Sequence, residues 1–338
     1  MTHTMAISSR EPVCVWGAGS WGTALAMVLS RHGRPVQLIA RTDEKAARMQ
    51  QARQNADYLP GIRFPDSLQV TADTAAAIAL SAAIVVALPC SAAARELSQL
   101  DTGNAPVITA CKGLDPNTLE RVDDWLIRIV GADRAVLLSG PSFALDVAQG
   151  KPTALTMAAA DASLARRAAS FFDDSSFRIY TSIDVTGVAL GGALKNVIAI
   201  AAGIAEGLDL GHNASAALVT RGIVEISRLA VACGGKQETL NGLSGLGDLV
   251  LTCTGNLSRN RKLGMALAQG MSLDEARAFV GQVVEGERST AAACLLAQQR
   301  GIEMPIANSV LAVLQGQMSP VMAVQSLLSR PERHESIT

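Results

Sequence analysis

The chain has 338 residues, of which 49% are hydrophobic and 17% charged, and its formal net charge is −1. That length and composition allow two packed domains and exclude a disordered polymer. Near-neutral charge, the absence of a long basic stripe and an aromatic content of only 3% argue against a nucleic-acid partner.

Met1 to Pro12 carries no apolar core of the kind a secretory signal needs. Pro12 to Trp16 is a short apolar run. It is followed by Gly17-Ala18-Gly19-Ser20-Trp21-Gly22, then by helical spacing from Thr23 to His32, and by a second strand at Val36 to Ala40. This is strand, glycine turn, helix, strand, the context in which G-x-G-x-x-G indicates a dinucleotide site. Gly17 allows the tight turn, Gly19 lets backbone approach a diphosphate at the helix N-terminus, and Gly22 permits close packing of helix on strand. An acid commonly closes the second strand to bind a ribose hydroxyl, but Arg41 holds that place here. A cation there suits a 2′-phosphate, so NADPH is expected as coenzyme. Asp43 and Glu44 nearby keep NADH open.

Thr74 to Ala94 is uncharged for 21 residues. It is rich in Ala, and its β-branched run stops at Pro89, so it fits a short helix over 74–80 and a buried strand over 83–88 better than a membrane span. Further strands are expected at 105–110, 135–139, 153–158 and 177–180, with helices between them. Such alternation predicts an α/β fold with a largely parallel sheet covered on both faces. Ligands of these sheets bind at the carboxyl ends of strands, where three loops fall: Pro89–Ser91, Cys111–Leu114 and Ser139–Ala144. Lys112 places a charge at that edge. Gly140 and Ser142 offer backbone approach and a small hydroxyl.

From Asp184 onward the periodicity is helical: 185–206, 213–233, 258–269, 273–280, 289–300, 306–314 and 320–328. We therefore expect a dinucleotide-binding domain over 10–185 and an all-helical substrate-binding and catalytic domain over 186–330, with a tail from Arg330 to Thr338 that frays. Within the helical half, Leu190 to Ile200 carries one ammonium, Lys195, in an otherwise apolar, glycine-opened helix start. The chain has six lysines and 23 arginines. Against that bias, a dry Lys marks a group whose pKa can fall far enough for it to exchange protons. The bland alternative is a lysine that reaches to solvent.

Two stretches read as loops. Asn241 to Leu249 puts Asp248 after three glycines, as a partner for Lys195, a ligand for a substrate hydroxyl or a helix cap. Asn256 to Lys262 places Arg259 and Arg261 at a helix start, against the macrodipole; with Ser258 this points to a bound anion such as a phosphate. Glu285, in a third loop at 281–286, is assigned to solvent on its own context.

Six cysteines lack any C-x-x-C pairing and four histidines are dispersed, so a metal site is not expected. Thiols in apolar runs fit a cytoplasmic protein. The apolar helices of the second half make a homodimer plausible.

GAGSWGTALA (17–26), CKGL (111–114), SGPSFA (139–144), GVALGGALKNV (187–197), GLSGLGDLVLTCTG (242–255), SRNRKLG (258–264) and VVEG (283–286) occur in order across nearly the whole chain. In these segments the chain resembles the bacterial NAD(P)-dependent glycerol-3-phosphate dehydrogenases. The resemblance implies a Rossmann-type N-terminal domain, an all-α C-terminal domain and the interconversion of dihydroxyacetone phosphate and sn-glycerol 3-phosphate with NADP(H) or NAD(H). In cells this would run as reduction, feeding phospholipid synthesis. It further implies Lys195 as the proton donor and acceptor, and Lys112, Gly140, Ser142, Asp248, Ser258, Arg259 and Asn260 as substrate ligands. Ser20, Trp21, Arg41, Ala144, Val283 and Glu285 would touch coenzyme together with the glycine turn. Lys112 and Arg259 would reach both ligands, and Tyr58 would lie on the adenine side. The rivals are a β-hydroxyacid dehydrogenase relative, whose substrate carries a carboxylate, and an NADPH-binding module without turnover. On chemical grounds a ketone reduction needs a proton donor beside the developing oxyanion. No histidine lies in a candidate loop, which leaves Lys195 or Lys112.

Overall fold

A computed structural model describes residues 11–115 and 118–331, the side chain of Ser91 excepted. The expectations for the first ten residues and for the tail from 332 lie outside the described residues. By compactness the chain divides into two units that interleave along the sequence. Of the described residues, unit 1 comprises 11–111, 123–138 and 142–185; unit 2 comprises 112–115, 118–122, 139–141 and 186–331. The spans expected from sequence, 10–185 and 186–330, are continuous, whereas unit 2 takes two short excursions from the first half. Periodicity along the chain does not register such excursions.

Unit 1 is built on one eight-stranded sheet. Its strands are β1 (Val13–Trp16), β2 (Val36–Ile39), β3 (Leu68–Thr71), β4 (Ala83–Val86), β5 (Val107–Thr109), β6 (Ala135–Ser139), β7 (Thr153–Ala159) and β8 (Phe177–Ser182). Their order is β3-β2-β1-β4-β5-β6-β7-β8. The pairs of β1 with β2 and β4, of β2 with β3, of β4 with β5, of β5 with β6 and of β7 with β8 are parallel. The central strands β1 (Val-Cys-Val-Trp), β4 (Ala-Ile-Val-Val) and β5 (Val-Ile-Thr) are buried throughout, as strands without a charged residue can be when both faces are covered. The helices between strands are α1 (Ser20–Ser30), α2 (Asp43–Ala52), α3 (Thr74–Ala79), α4 (Cys90–Leu97), α5 (Val122–Val130), α6 (Ala144–Ala148) and α7 (Ala162–Ala169). The uncharged stretch 74–94 thus resolves into α3, β4 and the start of α4.

The strand order reverses between β1 and β4, the place where open α/β sheets bind ligands. Gly17, directly after β1, has φ +119°, and a Cβ on it would lie 2.7 Å from the Ala87 carbonyl oxygen after β4. A Cβ on Gly22 would lie 1.8 Å from the Gly17 carbonyl oxygen. Both glycines are therefore steric requirements of the turn.

Unit 2 contains α8 (Val185–Gly207), α9 (Gly211–Ala232), α10 (Gln237–Leu240), a π-helical turn at Leu243–Gly247, α11 (Asp248–Thr254), α12 (Arg259–Ala268), α13 (Leu273–Val280), α14 (Glu285–Gln299), α15 (Pro305–Leu314) and α16 (Pro320–Leu328). At 23 residues, α8 is long and apolar enough to cross a membrane, yet its most apolar stretch is wholly buried inside the protein. It is the core helix around which unit 2 packs. Small residues let its neighbours come close: Cβ atoms on Gly203 and on Gly264 would lie 2.0 Å from the Arg261 carbonyl oxygen and 2.1 Å from that of Ile200. Glu225 of α9, 5% exposed, accepts hydrogen bonds from the amides of Ile306 (2.8 Å) and Ala307 (3.4 Å) and so caps α15.

Three expectations change here. Gly191 and Gly192 do not open a helix; they lie inside α8, which begins at Val185. The stretch 241–249 is not a loop, because its glycines form the π-helical turn that leads into α11. Glu285 opens α14 instead of lying in a loop, and its exposure is intermediate.

Candidate active site

The chemistry of unit 2 gathers on Asp248, which is 1% exposed at the first position of α11. Lys195 Nζ of α8 donates to Oδ1 of this carboxylate. Lys112 Nζ donates to Oδ2 at 2.6 Å and to the Gly140 carbonyl oxygen at 3.2 Å. Two ammonium groups thus share one carboxylate away from water. Burial is the largest influence on Lys195, and the Lys112 charge adds to it; Asp248 opposes both, and the net effect lowers the Lys195 pKa from 10.5 to about 8. Such an amine is mostly protonated at neutral pH and gives up its proton near pH 8, which suits a proton-transfer group.

The glycines of α8 make this arrangement possible. A Cβ on Gly191 would lie 2.5 Å from the Ser244 carbonyl oxygen in the π-helical turn. A Cβ on Gly192 would lie 2.9 Å from Ser139 Oγ and 3.5 Å from Cδ of Lys112. The π-helical turn is likewise fixed by Gly245, whose Cβ would lie 2.0 Å from the Leu240 carbonyl oxygen. Thr252 Oγ donates to the Asp248 carbonyl oxygen one turn along α11.

Beside Lys195, Asn196 accepts at Oδ1 from Asn260 Nδ2 (2.8 Å), and Asn260 Oδ1 accepts from the Gly286 amide (3.0 Å). Ser258 caps α12, its hydroxyl accepting from the Arg261 amide at 3.3 Å. Arg259 is exposed and donates to the Val283 carbonyl oxygen at 3.0 Å. Arg261 corrects the anion argument drawn from sequence. It is buried, its guanidinium forms a fork to Glu206, and it also donates to Asn256 Oδ1 at 3.3 Å. One of the two cations placed against the helix dipole is therefore accounted for within the fold, and Arg259 alone faces solvent.

Unit 1 holds the remaining candidates. Gly19 is the N-cap of α1, which has no side-chain cap, and a Cβ on Gly19 would meet nothing within 4 Å. Uncapped helix amides with open space in front of them fit a diphosphate. Ser20 and Trp21 open α1, and Trp21 packs on the sheet core. Arg41 is exposed just beyond β2. Tyr58 is 38% exposed, and Lys45 Nζ lies 4.5 Å from the centre of its ring. Ala144 starts α6 and packs against the sheet core. Ser142 also belongs to unit 1, and Val283, 47% exposed, and Glu285 belong to unit 2. Lys112, Gly140, Lys195 and Asp248 are thus brought into one cluster. Asn196 as Asn260's partner, Thr252, and Asn55 in unit 1 were not singled out as site residues from sequence; no spacing or motif marks an isolated amide.

A parallel sheet whose strand-order reversal carries an open glycine turn, in one chain with a dry lysine near its titration point, defines a dinucleotide-dependent oxidoreductase. Residues 12–165 match the N-terminal profile of NAD-dependent glycerol-3-phosphate dehydrogenase, and residues 184–325 match its C-terminal profile. The chain belongs to this family and is an NAD(P)-dependent enzyme acting on a small phosphorylated substrate. It is 47% identical to glycerol-3-phosphate dehydrogenase [NAD(P)+] of Acidobacterium capsulatum, over 96% of this chain and 99% of that one. It is 48% identical to the enzyme of that name from Thioalkalivibrio sulfidiphilus, over 97% and 99%. Its fold matches a crystal structure of glycerol-3-phosphate dehydrogenase from Coxiella burnetii with a TM-score of 0.88 and 39% identity, over 95% of this chain and all of that one. Membership in this family sets aside both the carboxylate-specific relative and the module without turnover.

Proposed function

We propose that the enzyme reduces dihydroxyacetone phosphate to sn-glycerol 3-phosphate, supplying phospholipid synthesis, with Lys195 as proton donor in that direction and acceptor in the reverse. The observation that carries this is the dry Lys195 on Asp248, its pKa drawn down to about 8. When bound, the coenzyme supplies or accepts the hydride. Lys195 stabilises the negative charge that develops on the ketone oxygen and gives that oxygen its proton. Asp248 holds both lysines in place. Lys112 contributes the second positive charge, and the Gly140 carbonyl fixes its direction. Gly140, Ser142, Ser258, Arg259 and Asn260 are assigned to the substrate, with the exposed Arg259 guanidinium suited to its phosphate. Gly17, Gly19, Ser20, Trp21, Gly22, Arg41, Tyr58, Ala144, Val283 and Glu285 are assigned to the coenzyme, with Lys112 and Arg259 shared. On this assignment the sheet unit is the coenzyme domain, and the helical unit, with the excursions 112–122 and 139–141, is the substrate domain.

Two variants test the roles. Lys195→Ala is expected to lower turnover by several orders of magnitude while NADPH still binds, and near-normal turnover removes its role. Arg259→Ala is expected to raise KM for dihydroxyacetone phosphate well above any change in kcat, and an unchanged KM removes the phosphate contact. We also propose a cytoplasmic homodimer. Light scattering at micromolar concentration should give about twice the 35.1 kDa chain mass, and cell fractionation should leave the enzyme in the cytosol; a monomer, or a membrane-associated fraction, contradicts the respective half.

A further inference from the structure

Asn55 is the first residue of a turn after α2, and it is fully buried, 0% exposed. Its side-chain Nδ2 donates to the Ala18 carbonyl oxygen at 3.1 Å and to Thr23 Oγ1 at 2.8 Å. Ala18 stands between Gly17 and Gly19 in the glycine turn, and Thr23 lies on the first turn of α1. The orientation of the amide is set by chemistry: a carbonyl oxygen only accepts, so Nδ2 must face Ala18. In that orientation Oδ1 is left without a hydrogen-bond partner among the described residues. An orphaned buried acceptor is unfavourable, so the geometry of the turn is held at some cost in stability. The backbone of Asn55 acts at the other end. Its carbonyl oxygen accepts from the amides of Tyr58 (3.3 Å) and Leu59 (2.8 Å), and Leu59 is buried. One residue therefore braces the glycine turn with its side chain and the Tyr58 turn with its backbone.

We propose that Asn55 is a positioning residue for the dinucleotide: by holding the Ala18 carbonyl it keeps the uncapped amides at the start of α1 turned toward the diphosphate. Asn55 touches neither coenzyme nor substrate. Its effect belongs to the diphosphate, which NADPH and NADH share, and so it differs in kind from Arg41, whose effect would fall on the 2′-phosphate alone. The proposal rests on the assignment of the Gly17–Gly22 turn to the coenzyme.

The test is coenzyme binding to the protein without substrate, followed by nicotinamide fluorescence, alongside steady-state kinetics. Asn55→Ala is expected to raise the Kd of NADPH and that of NADH by the same factor, roughly tenfold for the loss of buried hydrogen bonds. At saturating coenzyme, kcat and KM for dihydroxyacetone phosphate should stay within twofold. Thr23→Val removes one of the two bonds from the opposite side, keeps the side-chain shape and should raise both Kd values by a smaller common factor; it decides the matter if Asn55→Ala does not fold. Unchanged Kd values in a folded variant, or a rise confined to one coenzyme, overturn the proposal. A lowered melting temperature with unmoved Kd values means that Asn55 is structural only, and also overturns it. Gly19→Asp separates this from the underlying assignment: its backbone is in the extended region with space for a side chain, and the added carboxylate should abolish binding of both coenzymes. If Gly19→Asp binds normally, the assignment of the turn fails; if it does not bind while the Asn55 and Thr23 variants do so normally, only the role of Asn55 fails.

Discussion

At the scale of single residues, the governing fact is the charge count around Asp248. Two lysines and one carboxylate leave a net positive charge in a dry place, and neutralising Lys195 is the cheapest relief. The pH profile follows. With Lys195 in its proposed role, reduction needs the ammonium form, so its rate should fall as pH rises through about 8. Oxidation of the alcohol needs the free amine and should rise through the same range. Initial rates in both directions from pH 6 to 10 check this, and two parallel profiles would contradict it. The same shift has a sign in stability. Between about 8 and 10.5 the unfolded chain holds a proton that the native Lys195 has released, so the contribution of this group to stability rises with pH across that window and is unfavourable below it. On its proposed role, Lys195 is kept at the expense of stability. Its isolation in an apolar run was visible in the sequence. Its pairing with Lys112 was not, because 83 positions separate the two residues and no local pattern links them.

Among elements, glycine carries different meanings that sequence alone does not separate. G-x-G-x-x-G was legible because a strand precedes it and a helix follows, and Gly17 and Gly22 are indeed steric necessities of that turn. Gly191 and Gly192 resembled a helix start but serve the close approach of α8 to Ser244, Ser139 and Lys112. The glycines at 242, 245 and 247 resembled a loop, but Gly245 and Gly247 lie in the π-helical turn that Gly242 precedes, a rare geometry often found at functional sites. Strand β3 escaped notice because it is a four-residue edge strand with one buried residue, too short for a period to show. The packing role of the α8 glycines makes a signed prediction. In an exposed helix Gly→Ala stabilises by about 1 kcal/mol. In Gly203→Ala the new methyl would overlap the Arg261 carbonyl oxygen, so the net effect should be destabilising by roughly 1–3 kcal/mol. Urea denaturation decides the sign; a more stable variant would show that α8 and α12 do not cross at this distance.

For the whole molecule, pH should act on stability through a second buried group. Glu225 caps α15 from within the core of unit 2, and burial raises its pKa to about 7 against the pull of the Ile306 and Ala307 amides and of the Arg330 and Arg221 charges. From pH 4.5 to 7 the native state binds a proton that the unfolded state has lost. The contribution of Glu225 to stability is thus full below 4.5 and declines until pH 7, by about 3 kcal/mol in all for a shift of this size. Glu225→Gln keeps an acceptor for α15 and should flatten the fall in stability between pH 5 and 7. Melting curves at pH 5, 6 and 7 measure this, and an unchanged slope would assign the dependence to other groups. The fold class was evident from β/α alternation giving way to pure helix near Asp184. The interleaving of the two units was not, since it depends on which neighbours 112–122 and 139–141 choose in space.

That interleaving bears on how the gene can be cut. A polypeptide starting at residue 186 carries Lys195 and Asp248 but lacks Lys112, Ser139 and Gly140, so Gly192 loses the side chains packed against it and the carboxylate loses one of its two cations. The helical half is therefore not a transplantable module, and recombination at the apparent domain border would separate Lys112 and Gly140 from the Lys195–Asp248 pair they are bonded into.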